Sequence, residues 1–348
     1  MPRILFLLLA ISLAMPAFAQ YEESITVARV VFDVRVTKAG GEPIAGLTPE
    51  DFIVELSGAA ATVVSASWIE EGGIAHARPP KVRIERGEDG ERVLRATAEA
   101  DEPRLIVLFI QTDFAREAVR VSGQMKFRSY AEELVRSFMP ADRVAVFSFD
   151  SHLKFRADLT ADKEEAVQAL RDSILINTPP PPLAVDEPSL AQRLDHEQMR
   201  RATSSEQGLL LVANALKSIP GTKTLLLLGW GLGSYQDGLV RMRREWKDAF
   251  RALEEARVTI ISLDTTDAGH DLAAGLSSAA VQTGGFYASA AQTPRTAINR
   301  VQGTLRGRYE LELTSSKPLG PGTHTIAVRV KRRGATVLAP AAITISAR

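Results

Sequence analysis

The sequence predicts an α/β protein in which a doubly wound, mostly parallel sheet carries helices on both faces and β-strands are added at both ends of the chain. Short, predominantly apolar runs in the middle of the chain are typical of strands buried on both faces; they cover 105–110, 144–149, 224–228 and 258–263. Segments with apolar residues at helical spacing separate these runs, which favours parallel strands joined by helices. Near both ends the apolar residues alternate with polar ones instead, which predicts half-buried strands.

The N-terminal strands are the first elements after residue 20. Val30, Phe32, Val34 and Val36 lie among mostly charged or polar residues, and a glycine-containing turn around Gly40 follows. Further β-branched runs near 53–56 and 63–64 complete a small sheet. The segment 71–103 is charged and punctuated by Gly and Pro, so we interpret it as a connector with one short candidate strand near Val93.

Helical patterns follow three of the buried runs. They cover about 121–138, 162–173 and 237–256. The third pattern places one apolar stripe on Leu239, Met242, Trp246, Phe250 and Leu253. A short edge-like run at 153–155 and a short strand at 285–288 belong to the same sheet. After Gly307 the alternation returns and predicts three strands, around 309–313, 326–330 and 337–345.

These patterns divide the chain into five segments. They are a signal peptide over 1–19, an N-terminal β module over 20–70, a charged connector over 71–103, an α/β domain over 104–305 with an insertion over 177–205, and C-terminal β-strands over 306–348. Because a lone three-stranded sheet would have little to pack on, we expect the two β segments to meet in a composite β-sandwich, although separate attachment stays open. Four prolines at 179–182 predict an extended stretch within the insertion. We interpret the insertion as a surface spacer.

The first nineteen residues have the features of a secretion signal. Arg3 precedes an apolar run over 4–15, and Ala17-Phe18-Ala19 forms an A-x-A cleavage site. The run is shorter than the ~20 residues that a membrane-spanning helix needs. No later stretch is apolar enough to span a membrane, so we expect cleavage after Ala19 and a periplasmic or secreted protein.

Composition excludes several classes of function. The 348 residues include 42 basic and 42 acidic side chains, so the formal net charge is zero. Zero charge removes the electrostatic reason to expect a nucleic-acid or anionic-membrane partner. The chain has no cysteine, which excludes disulfides, thiolate zinc sites and cysteine nucleophiles.

Several motifs resemble a known family. The sequence VFDVRV at 31–36 and GLTPEDF at 46–52 are similar to the opening strand and the GLT-x-x-DF turn of secreted bacterial VWFA-related proteins of the acidobacterial type. The buried runs and the closing sequences GRYEL at 307–311 and HTIAVRV at 324–330 match the same pattern. The chain therefore resembles a von Willebrand factor A domain with β flanks, and the resemblance covers the whole chain after the signal.

The resemblance implies a metal-ion-dependent adhesion site, built from D-x-S-x-S plus a threonine and an aspartate of two further loops. Such a site lies at the carboxyl ends of the strands, and its oxygen ligands suit Mg²⁺. In this chain the motif falls on Gln-Thr-Asp-Phe-Ala at 111–115, and a shift that makes Asp113 the first ligand leaves Ala115 and Glu117 in the serine positions. Leu210 falls where the threonine belongs, and the loop after Leu228 has no carboxylate.

We therefore expect a degenerate adhesion site that holds no metal. Its rim residues are the candidate protein-binding residues: Gln111, Thr112, Asp113, Gly229, Trp230 and Gly231. Two roles for Trp230 stay open at this point. It either contacts the partner, since Trp is enriched at interface hot spots, or folds back over the vacated site as core.

Other chemistry has weaker support. Asp264, Asp267, His270 and Asp271 form an acidic cluster that a hydrolase could use, although helix capping by Asp267 or Asp271 explains it more simply. The glycine loop at 229–234 follows a strand as a dinucleotide loop would, but serine replaces its third glycine. The sequence His-Glu-Gln-Met-Arg at 196–200 lacks the second histidine of a zinc protease, so His196 is expected to be an exposed loop residue.

The sequence thus predicts a secreted or periplasmic, non-enzymatic protein-interaction module with no cofactor and an unknown protein partner. The alternatives are a Mg²⁺- or Ca²⁺-dependent adhesin and an envelope hydrolase.

Overall fold

The structure is a computed structural model that describes residues 29–71, 81–86, 92–97, 104–113, 118–174, 188–315 and 319–345. The predicted signal, the four consecutive prolines and most of the connector lie outside these residues. None of the described helices combines the length and the apolarity that crossing a membrane would require.

The first strands and the α/β domain follow one another along the chain. The N-terminal strands are β1 (Arg29–Thr37), β2 (Phe52–Leu56), β3 (Ala59–Glu70), β4 (Lys81–Arg86) and β5 (Arg92–Thr97). The first half of the α/β domain contains β6 (Leu105–Gln111), α1 (Ala118–Arg136), β7 (Arg143–Phe149), β8 (Leu153–Thr160), α2 (Lys163–Asp172), α3 (His196–Arg201) and α4 (Ser205–Leu216).

The second half of the chain completes both units. It contains β9 (Lys223–Gly229), β10 (Ser234–Gln236), β11 (Leu239–Arg241), α5 (Trp246–Glu255), β12 (Val258–Asp264), α6 (Ala273–Gln282), β13 (Tyr287–Ser289) and α7 (Pro294–Thr304). The C-terminal strands are β14 (Gly307–Ser315), β15 (Gly322–Val330), β16 (Thr336–Leu338) and β17 (Ala342–Ile345).

The central sheet has six strands in the order β13-β12-β9-β6-β7-β8. All neighbours are parallel except β8, which is antiparallel at one edge. Every residue of β6 is buried, and its side chains alternate between two cores: Phe109 packs with α4 and α5, whereas Ile110 packs with α1 and α7. The prediction of a mostly parallel sheet covered on both faces is therefore confirmed.

The strands from the two ends of the chain lie in one seven-stranded sheet of order β16-β1-β14-β3-β2-β15-β17. Near one edge of this sheet β1 runs antiparallel to β14, with Val30 opposite Leu313. The fully buried Tyr309 anchors the preceding loop, because its hydroxyl accepts from the Leu47 N–H and donates to the Ile44 carbonyl, both at 2.9 Å. The two β segments thus pair in one sheet, whereas the composite β-sandwich stays a prediction. The last predicted strand is divided into β16 and β17.

One predicted helix is wrong over its first half. Residues 234–241 form the β-hairpin of β10 and β11, and the helix begins only at Trp246. Asp237 and Gly238 have φ of 50° and 81°, which suits the two-residue turn of a tight hairpin. Leu239, placed on the apolar stripe by its spacing, is 64% exposed on β11.

Ion pairs connect the seven-stranded sheet to the α/β domain. Arg257, which follows α5, places its guanidinium 2.7 Å from the Asp33 carboxylate of β1. Asp33 also accepts a hydrogen bond of 2.8 Å from Arg308 on β14. The Asp33–Arg308 pair is largely shielded from water, so its charges interact more strongly than those of a surface pair, whereas the Arg257 side chain is exposed and its pair with Asp33 is weaker.

Candidate functional site

Gln111 is the organising residue at the carboxyl ends of the central strands. It is the last residue of β6 and only 2% exposed. Its side-chain NH₂ donates to the Ser205 hydroxyl at 2.8 Å and to the Gly231 carbonyl at 2.7 Å. Its amide oxygen accepts from the N–H groups of Trp230 and Gly231 at 2.7 and 3.1 Å. Both donors and both lone pairs of this amide are therefore used, which fixes the loop after β9.

Gly229 lets that loop approach Gln111. A Cβ atom at position 229 would lie 2.3 Å from the Gln111 amide oxygen, which is far inside van der Waals contact. The Gly229 carbonyl accepts from the N–H of Thr265 at 2.8 Å, so the same residue also connects β9 to the end of β12. Glycine is required here because of close approach and not because of its φ angle.

The next two rim residues differ in exposure. Thr112 is half-buried, and its N–H donates to the Phe149 carbonyl at 2.8 Å at the end of β7. Asp113 is exposed at the mouth of the site. Only Asp113 therefore presents a charged group of this motif to the surface.

Trp230 is half-buried, and its ring is stacked against a cation. The Arg120 guanidinium carbon of α1 lies 3.7 Å from the Trp230 ring centroid, within the range of a cation–π contact. The indole N–H is buried and, within the described part of the chain, has no hydrogen-bond partner. Trp230 is therefore neither a fully buried core residue nor a fully exposed one.

Two residues of the site were missed from the sequence. Ser205 is the first residue of α4, and its hydroxyl accepts the hydrogen bond from Gln111. Leu210 lies in the middle of α4 and packs against the core, so the assignment of Leu210 to the threonine position is wrong. Glu206, 2% exposed, accepts from the Gly233 N–H at 2.7 Å. A Ser-Ser-Glu sequence before an apolar run is a helix-start signal that could have indicated both.

These residues border a cleft of about 150 Å³. Its lining includes Gln111, Asp113, Asp150, Ser204, Glu206, Trp230 and Arg243. Burial alone would raise the pKa of Asp150, but hydrogen bonds from Lys154 and the Ser151 N–H outweigh it and hold that pKa at about 2. The Arg243 guanidinium lies 3.8 Å from the Glu206 carboxylate. Asp150 and Glu206 thus each have a cation nearby, Lys154 and Arg243 respectively.

This set of ligands does not suit Mg²⁺. A divalent cation needs several oxygen atoms that are free to coordinate it. Here the Gln111 oxygen already accepts two N–H groups, and its NH₂ points donors at the Ser205 and Gly231 oxygens. Among the residues that the structure describes, no three His, Cys, Asp or Glu side chains are grouped to hold a metal ion.

The second acidic cluster is only partly assembled. The Asp264 carboxylate lies 2.9 Å from His270 Nε2 and accepts a hydrogen bond of 2.7 Å from the Tyr287 hydroxyl. Burial and the nearby Asp264 charge raise the pKa of Tyr287 to about 12, so its hydroxyl stays protonated and donates. Asp267 pairs instead with Lys126 at 3.1 Å, and Asp271 is exposed.

Neither Asp267 nor Asp271 caps a helix through its side chain, so that expectation is wrong. Helix α6 begins after Leu272 without a side-chain cap. The glycine loop at 229–234 leads into the β10–β11 hairpin and not into a helix, so it lacks the helix N-terminus that a dinucleotide loop requires. His196 is exposed as expected, but it begins the short helix α3.

Comparisons with known proteins give low similarity. No family model and no curated protein matches the chain. Among solved structures, the chain is similar to a von Willebrand factor type A protein from Catenulispora acidiphila, with 10% identity, a TM-score of 0.42, and coverage of 92% of this chain and 74% of that one. It is also similar to BatB from Bacteroides thetaiotaomicron, with 12% identity, a TM-score of 0.36, and coverage of 57% of this chain and 98% of that one.

A third similar structure is mussel-byssus proximal thread matrix protein 1, described with a zinc-occupied MIDAS motif. It is 14% identical with a TM-score of 0.39, and the match covers 59% of this chain and 48% of that protein, so this chain spans about half of its length. Because all three TM-scores lie below 0.5, these similarities do not establish a function. Von Willebrand factor A proteins are among the solved structures that this chain is similar to, and membership of the VWFA-related family stays a prediction.

Proposed function

We propose that this protein is a non-enzymatic protein-interaction module of the von Willebrand A type whose contact surface works without a metal ion. The surface consists of Gln111, Thr112, Asp113, Gly229, Trp230 and Gly231, here called the rim. The single observation that carries the proposal is the saturated Gln111 amide. It occupies the position at which the resembling family begins its metal-binding motif, and it holds the loop with hydrogen bonds instead of a cation.

The rim offers a partner three kinds of group. Asp113 supplies an exposed carboxylate, and Trp230 supplies a half-buried aromatic ring. Arg120 lies over that ring and adds a guanidinium. Trp and Arg are enriched among residues that dominate binding energies, which favours the contact role of Trp230 over a purely structural one.

The accompanying proposals concern location and organisation. We propose that the protein is secreted or periplasmic after removal of residues 1–19. The α/β domain spans 104–305, and the segments 20–70 and 306–348 form a composite β-sandwich module. The Asp264–His270 contact is the observation that favours a hydrolase as second candidate. Asp267 and Asp271 do not join that pair, so the interaction module is the better-supported function.

Purification of tagged protein from the envelope of its source organism tests the contact surface. A protein that co-purifies with the unaltered chain is expected to be lost from Trp230→Ala, with binding weakened by about 2 kcal/mol or more. Tyr235→Ala is the matched control, because Tyr235 is an exposed aromatic on the neighbouring hairpin and outside the rim. Equal recovery with both variants would contradict the assignment of the rim.

Metal dependence is tested separately. The melting temperature of the unaltered chain should be the same in EDTA and in millimolar Mg²⁺ or Ca²⁺. A ligand present at a hundred times its Kd would stabilise the fold by about 2.7 kcal/mol, a change that a melting curve detects. A stabilisation that Asp113→Ala abolishes would support the metal-dependent adhesin instead.

A further inference from the structure

A second cleft, of about 350 Å³, lies between the seven-stranded sheet and the α/β domain. Its walls come from β1, from the end of α5 and from β17. It opens beside Val258 and Thr259, where β12 begins, and therefore at the opposite end of the parallel strands from the rim. Clefts of this volume at the junction of two structural units are common ligand sites.

An unpaired strand edge borders this cleft. Strand β1 pairs with β14 over residues 29–34, but with β16 only over residues 35–37. Within the described strands, the second edge of residues 30–33 therefore has no partner. Across the cleft, β17 is the last strand of the sheet and pairs only with β15 among the described strands. Backbone N–H and C=O groups on such edges are templates for an added strand.

The cleft is lined with apolar side chains beside that edge. Val31 of β1 is 52% exposed, which is high for a β-branched residue on a strand next to a cavity. Phe250 of α5 and Ile343 and Ile345 of β17 supply further apolar surface. A bound chain with apolar residues could cover Val31 and gain burial energy in proportion to the area removed from water.

One acidic group in the cleft has no basic partner. The Glu254 carboxylate of α5 accepts a hydrogen bond of 2.9 Å from the Thr344 hydroxyl of β17. No Lys or Arg of the described chain lies within ion-pair distance of it, and burial raises the pKa of Glu254. The cation of the same cleft, Arg257, is already bound to Asp33 at 2.7 Å. The cleft thus carries one carboxylate that a ligand cation would complement.

We propose that this cleft binds an extended segment of a partner protein, which adds a strand to the open edge of β1. The segment carries a Lys or Arg side chain that meets Glu254 and apolar side chains that cover Val31. Strand addition supplies backbone hydrogen bonds, while the side-chain contacts give specificity. This site is independent of the rim, because the two lie at opposite ends of the central sheet.

A synthetic peptide tests the proposal on the full chain. The probe is a fluorescein-labelled nonapeptide in which Val and Thr alternate around a central Lys, and the control peptide has Glu in place of that Lys. Fluorescence anisotropy should show saturable binding of the Lys peptide, with binding of the Glu peptide weakened by about ten-fold or more. Glu254→Gln should weaken the Lys peptide by a similar factor.

Glu255→Gln is the matched control variant. Glu255 is the next residue of the same helix, lies outside the cleft lining and pairs with Lys217 at 2.6 Å. It should leave peptide binding unchanged. Hydrogen exchange should show added protection of the amides of residues 30–33 when the Lys peptide is bound.

Three results would overturn the proposal. The first is equal affinity for the Lys and Glu peptides, or no saturable binding of either. The second is protection confined to the rim around Gln111 and Trp230, which would place the peptide at the other site and leave the proposed function standing. The third is a concentration-dependent dimer that Val31→Lys abolishes, because the occupant of the edge would then be a second copy of this chain.

Discussion

Replacing Gln111 by Glu changes one NH₂ group into an oxygen and is the sharpest test of how the rim is held. The variant keeps the volume of the side chain, but it removes the donor to the Gly231 carbonyl, which lies 2.7 Å away. A carboxylate oxygen at that distance from a carbonyl oxygen repels it. Ser205 can rotate its hydroxyl to donate, so that contact survives.

The expected cost follows from these contacts. A buried carbonyl without its hydrogen bond costs about 1–3 kcal/mol. Position 111 is only 2% exposed, and no cation is paired with it in the described structure, so the new charge is buried without an ion-pair partner and keeps only the Trp230 and Gly231 N–H groups and the Ser205 hydroxyl as donors. A buried charge left without any partner typically destabilises by about 3–5 kcal/mol. Because three donors remain here, we expect a smaller loss of about 1–3 kcal/mol at pH 7.

The loss should depend on pH in a defined direction. Burial would raise the pKa of the new carboxyl above its unfolded value of about 4.3. The destabilisation is then fully present above the folded pKa and fades as the pH falls toward the unfolded value, because the protonated acid can donate to Gly231. The free energy of unfolding should therefore differ less between variant and unaltered protein at pH 4.5 than at pH 7.

Urea unfolding followed by circular dichroism at both pH values measures this difference. Gln192→Glu is the control, since Gln192 is exposed and the change there should stay within about 0.5 kcal/mol. A cost of less than about 1 kcal/mol for Gln111→Glu at pH 7 would refute the reasoning that the amide is saturated. A variant that requires Mg²⁺ to regain its stability would show that only this amide separates the rim from a cation site.

Three further predictions concern other parts of the chain. Gly229→Ala should lower the free energy of unfolding by about 2–4 kcal/mol in urea titrations, because the new Cβ would lie 2.3 Å from the Gln111 amide oxygen. Gly58→Ala is the control: position 58 has open space for a Cβ but a φ of 75°, so this variant measures backbone strain without a steric clash. Burial lowers the pKa of Lys223 from 10.5 to about 8, so the unfolded chain binds more protons than the folded chain between these pH values. The free energy of unfolding should therefore rise by about 3 kcal/mol as the pH rises from about 8 to 10.5, and Lys223→Met should remove this rise. A flat profile in the unaltered protein would contradict the prediction. Intact-mass measurement of periplasmic protein should give a mass without residues 1–19, and a mass that includes them would rule out cleavage.

Much of the fold follows from patterns within single segments. The apolar run of β6 predicts a strand buried on both faces, and each of its residues is buried. Alternation in β1 predicts a half-buried strand; Val30, Phe32, Val34 and Val36 are buried as predicted, but Arg35 and Thr37 on the other face are buried too. These predictions succeed because burial of a strand depends mainly on its own sequence and on the presence of a facing core.

The errors arise where one pattern competes with another. The spacing of Leu239, Met242 and Trp246 suits a helix, but the preceding Asp237-Gly238 is a strong hairpin signal and decides the local structure. The saturation of Gln111 could not be predicted, because its partners come from α4 and from the loop after β9. Only the assembled sheet brings those segments to one point.

The pairing of β1 with β14 has a consequence for the order of folding. The α/β domain is formed by segments that are contiguous along the chain, and most of its sheet contacts connect strands separated by a single helix or a short insertion. In the seven-stranded sheet, in contrast, β1 (residues 29–37) pairs with β14 (residues 307–315), which is synthesised much later. During synthesis, β1 therefore lacks this partner until residues 307–315 have emerged, and the sheet closes after the segments of the α/β domain are available. Chaperones that act on this protein would accordingly meet an unpaired, β-branched N-terminal strand beside an α/β domain that has already folded.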